Sequence, residues 1–272
     1  MNKKGYCFPI SVQLSLPEDY NENKEAIEMF QTLNDLGFYG VELNIADPSR
    51  FDYNKVTSFL SEFNLKFSMF ASGLTAKIFG LSLSHNDKAI RKAAIKKVKE
   101  IIDFVIGSDT GIILGFFKGQ STLEKEISKK NFNQSMEDIA PYAIKKTVKI
   151  LIEATNRYES DVANSLEEAS SIVKKFNNPL IQILPDTFHM NIEEVNILES
   201  LKENFKYYKS VHLSNNNRFF PAFCGIDFKE IIDFLKLINF QGGVALEGNL
   251  KKDFVYDIKK TMEYLIPILQ IE

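Results

Sequence analysis

Leu184-Pro185-Asp186-Thr187-Phe188-His189-Met190-Asn191-Ile192-Glu193-Glu194 is the stretch on which the fold turns. An apolar run, Leu180 to Leu184, leads into it, and a helical pattern leaves it. Asn191 stands where an N-cap is expected, with Glu194 three residues on, as in a capping box. Asp186 and His189 lie between the strand end and the helix start. Neither is needed to make a turn, because Gly, Asn or Ser would serve. Taken alone, Asp186 as a cap and His189 as a loop residue explain the stretch as well as chemistry does.

The same unit, a short apolar run followed by a helical pattern, recurs on both sides. Upstream, strands are expected at Phe8 to Leu14, Tyr39 to Leu43, Lys66 to Ala71, Thr110 to Leu114 and Lys149 to Glu153. Their helices are expected at Lys24 to Leu36, Asp52 to Phe63, Asp87 to Ile106, Asn133 to Lys146 and Ser165 to Phe176. The segment with Gly73 and Gly80 reads as a loop. The central strand is expected from Leu180 to Asp186, with its helix from Ile192. Downstream, Tyr208 to Leu213 and Gly243 to Glu247 are strands, with helices from Phe228 to Leu237 and onward to about Leu269. Strands alternating with helices predict a parallel α/β sheet, and this number of units predicts closure into a single (β/α)8 TIM barrel. No composition break or linker divides the chain, so one domain over residues 1–272 is expected.

The composition narrows the function. The length suits one barrel, and 44 % hydrophobic residues suffice for a large core. A net charge of −3 gives no reason to expect nucleic acid or an anionic membrane as a partner. Cys7 and Cys224 form no disulfide framework or CxxC pair. The start, Met1-Asn2-Lys3-Lys4-Gly5-Tyr6, lacks an apolar segment behind its lysines, and no run approaches the roughly 20 residues of a membrane span. A cytoplasmic protein is expected, in which the sequon at Asn133 carries no glycan.

In a barrel the chemistry sits at the C-terminal ends of the strands. Four consecutive strands end in or carry Glu153, Asp186, His212 and Glu247. Any one could be an isolated polar strand end, but all four together fit that reading poorly. Three carboxylates in one pocket would raise one another's pKa values unless a divalent cation joined them. Three oxygens and one nitrogen leave two positions of an octahedron open, which suits Mn²⁺ first, then Mg²⁺ or Co²⁺, over a structural zinc. Glu153 and Glu247 come from strands separated by two others. They would then flank a bound carbon and pass a proton from one face to the other.

At these residues the chain resembles the D-tagatose 3-epimerase and D-psicose 3-epimerase family of xylose-isomerase-like barrels. Glu153 followed by Asn156-Arg157-Tyr158-Glu159 is similar to the family's E-x-x-N-R-aromatic-E. Asp186 to Glu194 matches its D-T-F-H-M-N-I-E-E, and His212 with Arg218 matches its H-x-x-x-x-x-R. The likeness is good from Lys149 to about Gly248 and looser before that. It implies metal ligation by Glu153, Asp186, His212 and Glu247, with Glu153 and Glu247 as the acid/base pair. It also implies contacts from Glu159, His189 and Arg218 to a sugar substrate, and a homo-oligomer, dimer or tetramer. The chain departs from the family at Ser214-Asn215-Asn216-Asn217, at Pro221-Ala222-Phe223-Cys224-Gly225, and at Gly248-Asn249 after the last Glu. It also has no Trp, so Phe8, Phe70, Phe116 or Phe117 would supply the apolar wall.

The expected reaction is ketose 3-epimerisation through an enediolate. Close alternatives are epimerisation or isomerisation of a pentulose 5-phosphate, for which Lys251 or Lys252 would bind phosphate, and an inosose dehydratase-like elimination. An endonuclease IV-like DNA repair enzyme needs a His-rich zinc cluster, and this chain has three His in all. A non-catalytic sugar-binding relic would have no need to retain both Glu residues.

Overall fold

The computed structural model describes residues 5–120, 124–223 and 225–270. In chain order the elements are β1 (Ile10–Ser15), α1 (Lys24–Leu36), β2 (Gly40–Asn44), α2 (Tyr53–Glu62), β3 (Lys66–Ala71), α3 (Gly73–Phe79), α4 (Lys88–Phe104) and β4 (Gly111–Leu114). They continue with α5 (Lys125–Lys146), β5 (Ile150–Glu153), α6 (Leu166–Val173), β6 (Ile181–Leu184), α7 (Thr187–Glu193) and α8 (Ile197–Asn204). The last are β7 (Ser210–Leu213), α9 (Phe228–Leu237), β8 (Gly243–Leu246) and α10 (Phe254–Leu269).

The eight strands form one parallel sheet in the order β6-β5-β4-β3-β2-β1-β8-β7. The ends of that order meet at a thin seam. A single parallel bridge, Asp186 to His212, joins β6 to β7, and the His212 N–H donates to the Pro185 carbonyl at 2.8 Å. Pro185 has no N–H to donate in return, which keeps the seam short. The result is a nearly closed TIM barrel. The seam also sets Asp186 beside His212, so the place where the barrel closes is part of the site.

The helices wrap the strands through their apolar faces, and all but α3 and α5 start on a side-chain cap. Asn23, Asp52, Asp87, Ser165, Asp227 and Asp253 each accept a backbone N–H from the first turn. Their buried stripes meet the outward strand residues in one core. A smaller cluster of Ile113, Leu151 and Leu184, with Met69 against it, is separate from that core. Leu151 shares a strand face with Glu153, so this cluster is the apolar floor under the polar mouth. Among the described residues no helix is long and apolar enough to cross a membrane.

Three local expectations change. Asn191 is not an N-cap; it lies inside α7, which begins earlier because Asp186 accepts from the Phe188 N–H at 2.8 Å. The capping role falls instead on Asn196, whose side chain accepts from Glu199 N–H at 3.0 Å and opens α8. The segment after β3, read as a loop, forms α3. Helix α5 begins at Lys125, well before Asn133, along a polar stretch without apolar period that is tied to α6 by Lys129 and Glu168 at 3.1 Å.

Candidate active site

The strand period places the site. Glu153 is the last residue of β5, His212 sits within β7, Glu247 follows β8 directly, and Asp186 follows β6 after Pro185. Each of the four offers one ligand atom, and these atoms all lie within 4.8 Å of one another. The Glu153 Oε1 oxygen is buried without a hydrogen-bond partner. An orphaned carboxylate oxygen among three hard oxygen donors and one imidazole fits a divalent cation.

Electrostatics separates the two glutamates. Burial, then the neighbouring Glu247 carboxylate, pushes the Glu153 carboxyl up to about 8. Burial would raise Glu247 too, but Arg218 and the bond from His212 outweigh it and hold that carboxyl well below the usual range. Arg218 bridges Asp186 Oδ2 and Glu247 Oε1, each at 2.5 Å, and lies over the Phe188 ring at 4.8 Å. For His212, burial disfavours the charge, yet Glu42 and Glu247 on its two sides raise it well above an ordinary imidazole.

His189 is held by a neighbour that fixes its tautomer. The Asn156 Oδ1 oxygen accepts from Tyr158 N–H at 2.9 Å, so its amide nitrogen faces the ring and donates to His189 Nδ1 at 2.8 Å. The proton then belongs on Nε2, which points at Glu153 Oε1 and Asp186 Oδ2, both 3.9 Å away. Burial lowers the His189 pKa against the pull of Asp186, which favours the neutral ring. The same Asn156 amide donates to Glu159 at 3.0 Å. Arg157 forks onto Glu193 at 2.9 Å, and Glu194 accepts from Leu166 N–H at 2.8 Å. Those charged residues of the two motifs tie neighbouring loops together, outside the pocket.

The pocket is a cavity of about 360 Å³ that receives Glu153, Glu247, His189, Arg218 and Glu159. Phe116 lines it, while Phe8, Phe70 and Phe117 are buried in the core. Of the four candidate walls, Phe116 is thus the one that reaches the site. Lys251 and Lys252 lie elsewhere, their ammonium groups over Phe223 and Tyr256, and Lys77 of α3 lines the pocket instead. The unusual asparagine run forms a tight turn in which Arg218 N–H donates to Asn215 carbonyl at 2.9 Å and Arg218 takes φ 61°. Gly248 is needed because a Cβ there would lie 2.7 Å from Phe220 N. Cys224 lies outside the described residues.

Sequence reasoning missed three residues. Glu42 of β2 contacts His212, but a lone Glu inside a strand resembles any other polar position. Gly115 follows β4, and a Cβ there would overlap the Glu153 carboxylate, so glycine is what lets that side chain lie against the backbone. Lys118 is fully buried, and its Nζ donates to the Glu153 carbonyl, to Thr155 Oγ1 and to the Ala163 carbonyl, pinning the end of β5.

A parallel barrel with a carboxylate–imidazole cluster at the C-terminal ends of β5 to β8 defines a class of metal-site α/β barrels. The family model described as xylose isomerase-like TIM barrel matches residues 30–267, and the chain belongs to that family. It is 27 % identical over 216 residues to an L-ribulose 3-epimerase of Methylomonas sp. (strain DH-1), covering 78 % of this chain and 74 % of that one. Its fold is similar to the D-allulose 3-epimerase of Methylomonas sp. in complex with D-allulose, with TM-score 0.80, 21 % identity, and 97 % and 98 % of the two chains covered. The 3-keto-D-glucoside 4-epimerase of E. coli is also similar, with TM-score 0.77, 21 % identity, and 96 % and 98 % covered.

Proposed function

We propose that this chain is a divalent-metal-dependent sugar epimerase that inverts the carbon beside a ketone, acting on carbon 3 of a ketose. The observation that carries this is the cluster of Glu153, Asp186, His212 and Glu247, whose ligand atoms all lie within 4.8 Å of one another, with both glutamates reaching one pocket. The curated relative quoted above, an L-ribulose 3-epimerase, supports the reaction class.

Glu153, Asp186, His212 and Glu247 would hold the cation, with Mn²⁺ first and Mg²⁺ or Co²⁺ as alternatives. When bound, it acts as a Lewis acid on the ketone and acidifies the neighbouring C–H. One of the two glutamates, Glu153 or Glu247, takes the proton. The electron pair of that C–H bond moves into the carbon–carbon bond of an enediolate. The other glutamate, recharged with a proton from water, returns a proton to the opposite face, and the reverse reaction exchanges their roles. His189 Nε2–H and the Arg218 guanidinium donate to substrate oxygens, and Glu159 accepts from a hydroxyl at the mouth. Both carboxyls exchange with water after each turnover.

The test is hydrogen–deuterium exchange at the carbon beside the carbonyl, followed by NMR in D₂O, with Mn²⁺-loaded enzyme and a panel of free ketoses and ketose phosphates. Exchange with inversion at carbon 3 of a free ketose is expected. A second reading, a phosphorylated sugar, is favoured by Lys77 at the pocket wall. Exchange confined to ketose phosphates would select it. No exchange with any sugar in metal-loaded protein would overturn both.

A further inference from the structure

We infer that Glu42 is a positioning residue for the metal site, reaching His212 from the inside of the barrel, and that a small carboxylate entering from the N-terminal face can replace it. Glu42 is buried in β2, and its Oε2 lies 2.8 Å from His212 Nε2. The other ring nitrogen, Nδ1, faces Glu247 Oε2 at 2.7 Å and Glu153 Oε1 at 3.8 Å. One imidazole thus has its two nitrogens committed to different sides. Glu42 takes the Nε2–H, which leaves the Nδ1 lone pair aimed into the cluster. A carboxylate behind an imidazole orients the ring and makes it a better donor to a metal, and loss of such partners weakens metal affinity.

The second observation is on the opposite side of the barrel from the pocket. A cavity of about 650 Å³ lies among the N-terminal ends of the strands, and Glu42, Ser11, Ser68, Ser210 and Gly243 line it. Three lysines, Lys66, Lys149 and Lys209, line it with a single carboxylate, Asp109, outside Glu42 itself, so its rim is net cationic. The Glu42 side chain therefore forms part of the wall between this cavity and the metal cluster. Truncating it joins the space it leaves to a cavity with a cationic rim, and a small anion then has a route to His212 Nε2.

This inference rests on the metal-site reading, and the experiment separates the two. Mn²⁺ and Co²⁺ dissociation constants are measured by chelator competition, with the visible spectrum of the Co²⁺ form, for wild type, Glu42→Ala and Glu42→Gln. Unfolding of the metal-free proteins is the control for fold. Wild type is expected to bind. Glu42→Ala is expected to bind about 10- to 100-fold more weakly with an altered Co²⁺ spectrum. Formate is expected to restore most of the loss in Glu42→Ala and to leave wild type and Glu42→Gln unchanged. Glu42→Gln, which keeps an acceptor of the same shape, should fall between them. Wild type that takes up no divalent metal overturns the metal-site reading itself. Wild-type affinity in either folded variant, or a loss in folded Glu42→Ala that formate does not restore, overturns the role of Glu42. If Glu42→Ala does not fold, the Glu42→Gln affinity and spectrum decide.

Discussion

Without a metal ion, Glu153 and Glu247 are the same side chain driven in opposite directions, one carboxyl raised and the other lowered in pKa, by what touches them. Glu247 has Arg218 and His212, while Glu153 has an oxygen with no partner. Replacing either by Gln at saturating metal is expected to lower proton exchange by at least about 10²-fold with the fold intact, read by NMR exchange and circular dichroism. His189→Gln should reduce turnover while metal uptake persists, as a titration with Mn²⁺ would show. A pH effect follows from Glu153 in the metal-free protein. Its folded pKa is raised to about 8 from 4.5, so the native state holds a proton there that the unfolded chain has lost. Stability should fall as pH rises through that window, and Glu153→Gln should flatten the slope in denaturant titrations.

At the scale of elements, the end of β5 depends on Lys118. Its three acceptors belong to the strand end and to the loop that carries Asn156 and Glu159. Lys118→Met should destabilise the protein by about 1–3 kcal/mol through orphaned acceptors. Burial lowers the Lys118 pKa from 10.5 to about 7, so above that value the unfolded chain binds the extra proton. Wild type should therefore gain stability relative to Lys118→Met between about pH 7 and pH 10.5, the opposite sign to Glu153. Helix α5 ends on exposed Thr147 at φ 59°, a left-handed conformation that a β-branched residue adopts at a cost. Thr147→Gly should raise stability by about 1 kcal/mol in thermal unfolding, with activity unchanged.

For the whole molecule, the site is built where the barrel closes, so a cation held there would tie its binding to barrel integrity. Saturation at about 100 times the dissociation constant should add about 2.7 kcal/mol to stability, and a chelator should reverse it. The thin seam between β6 and β7 is expected to show the fastest amide exchange among the strands without metal, and the largest gain in protection with it.

Periodicity is a local property, which is why the strand–helix alternation and most helix starts were legible in the chain. The positions of Glu153, Asp186, His212 and Glu247 followed, because each lies within two residues of a strand end that local pattern locates. Asn191 against Asp186 as the cap of α7 was not legible, since both residue types cap helices and only the path of the chain after Pro185 decides which does. Glu42, Gly115 and Lys118 were hidden for a different reason. Each acts on a residue far away in sequence: Glu42 on His212, Gly115 and Lys118 on Glu153. The sequence by itself determined the barrel and the residues at its mouth, through spacing that a chain carries within a few residues. The tertiary structure alone decided how those residues are supported and charged, because desolvation, close approach and hydrogen bonding across the barrel depend on neighbours that folding brings together.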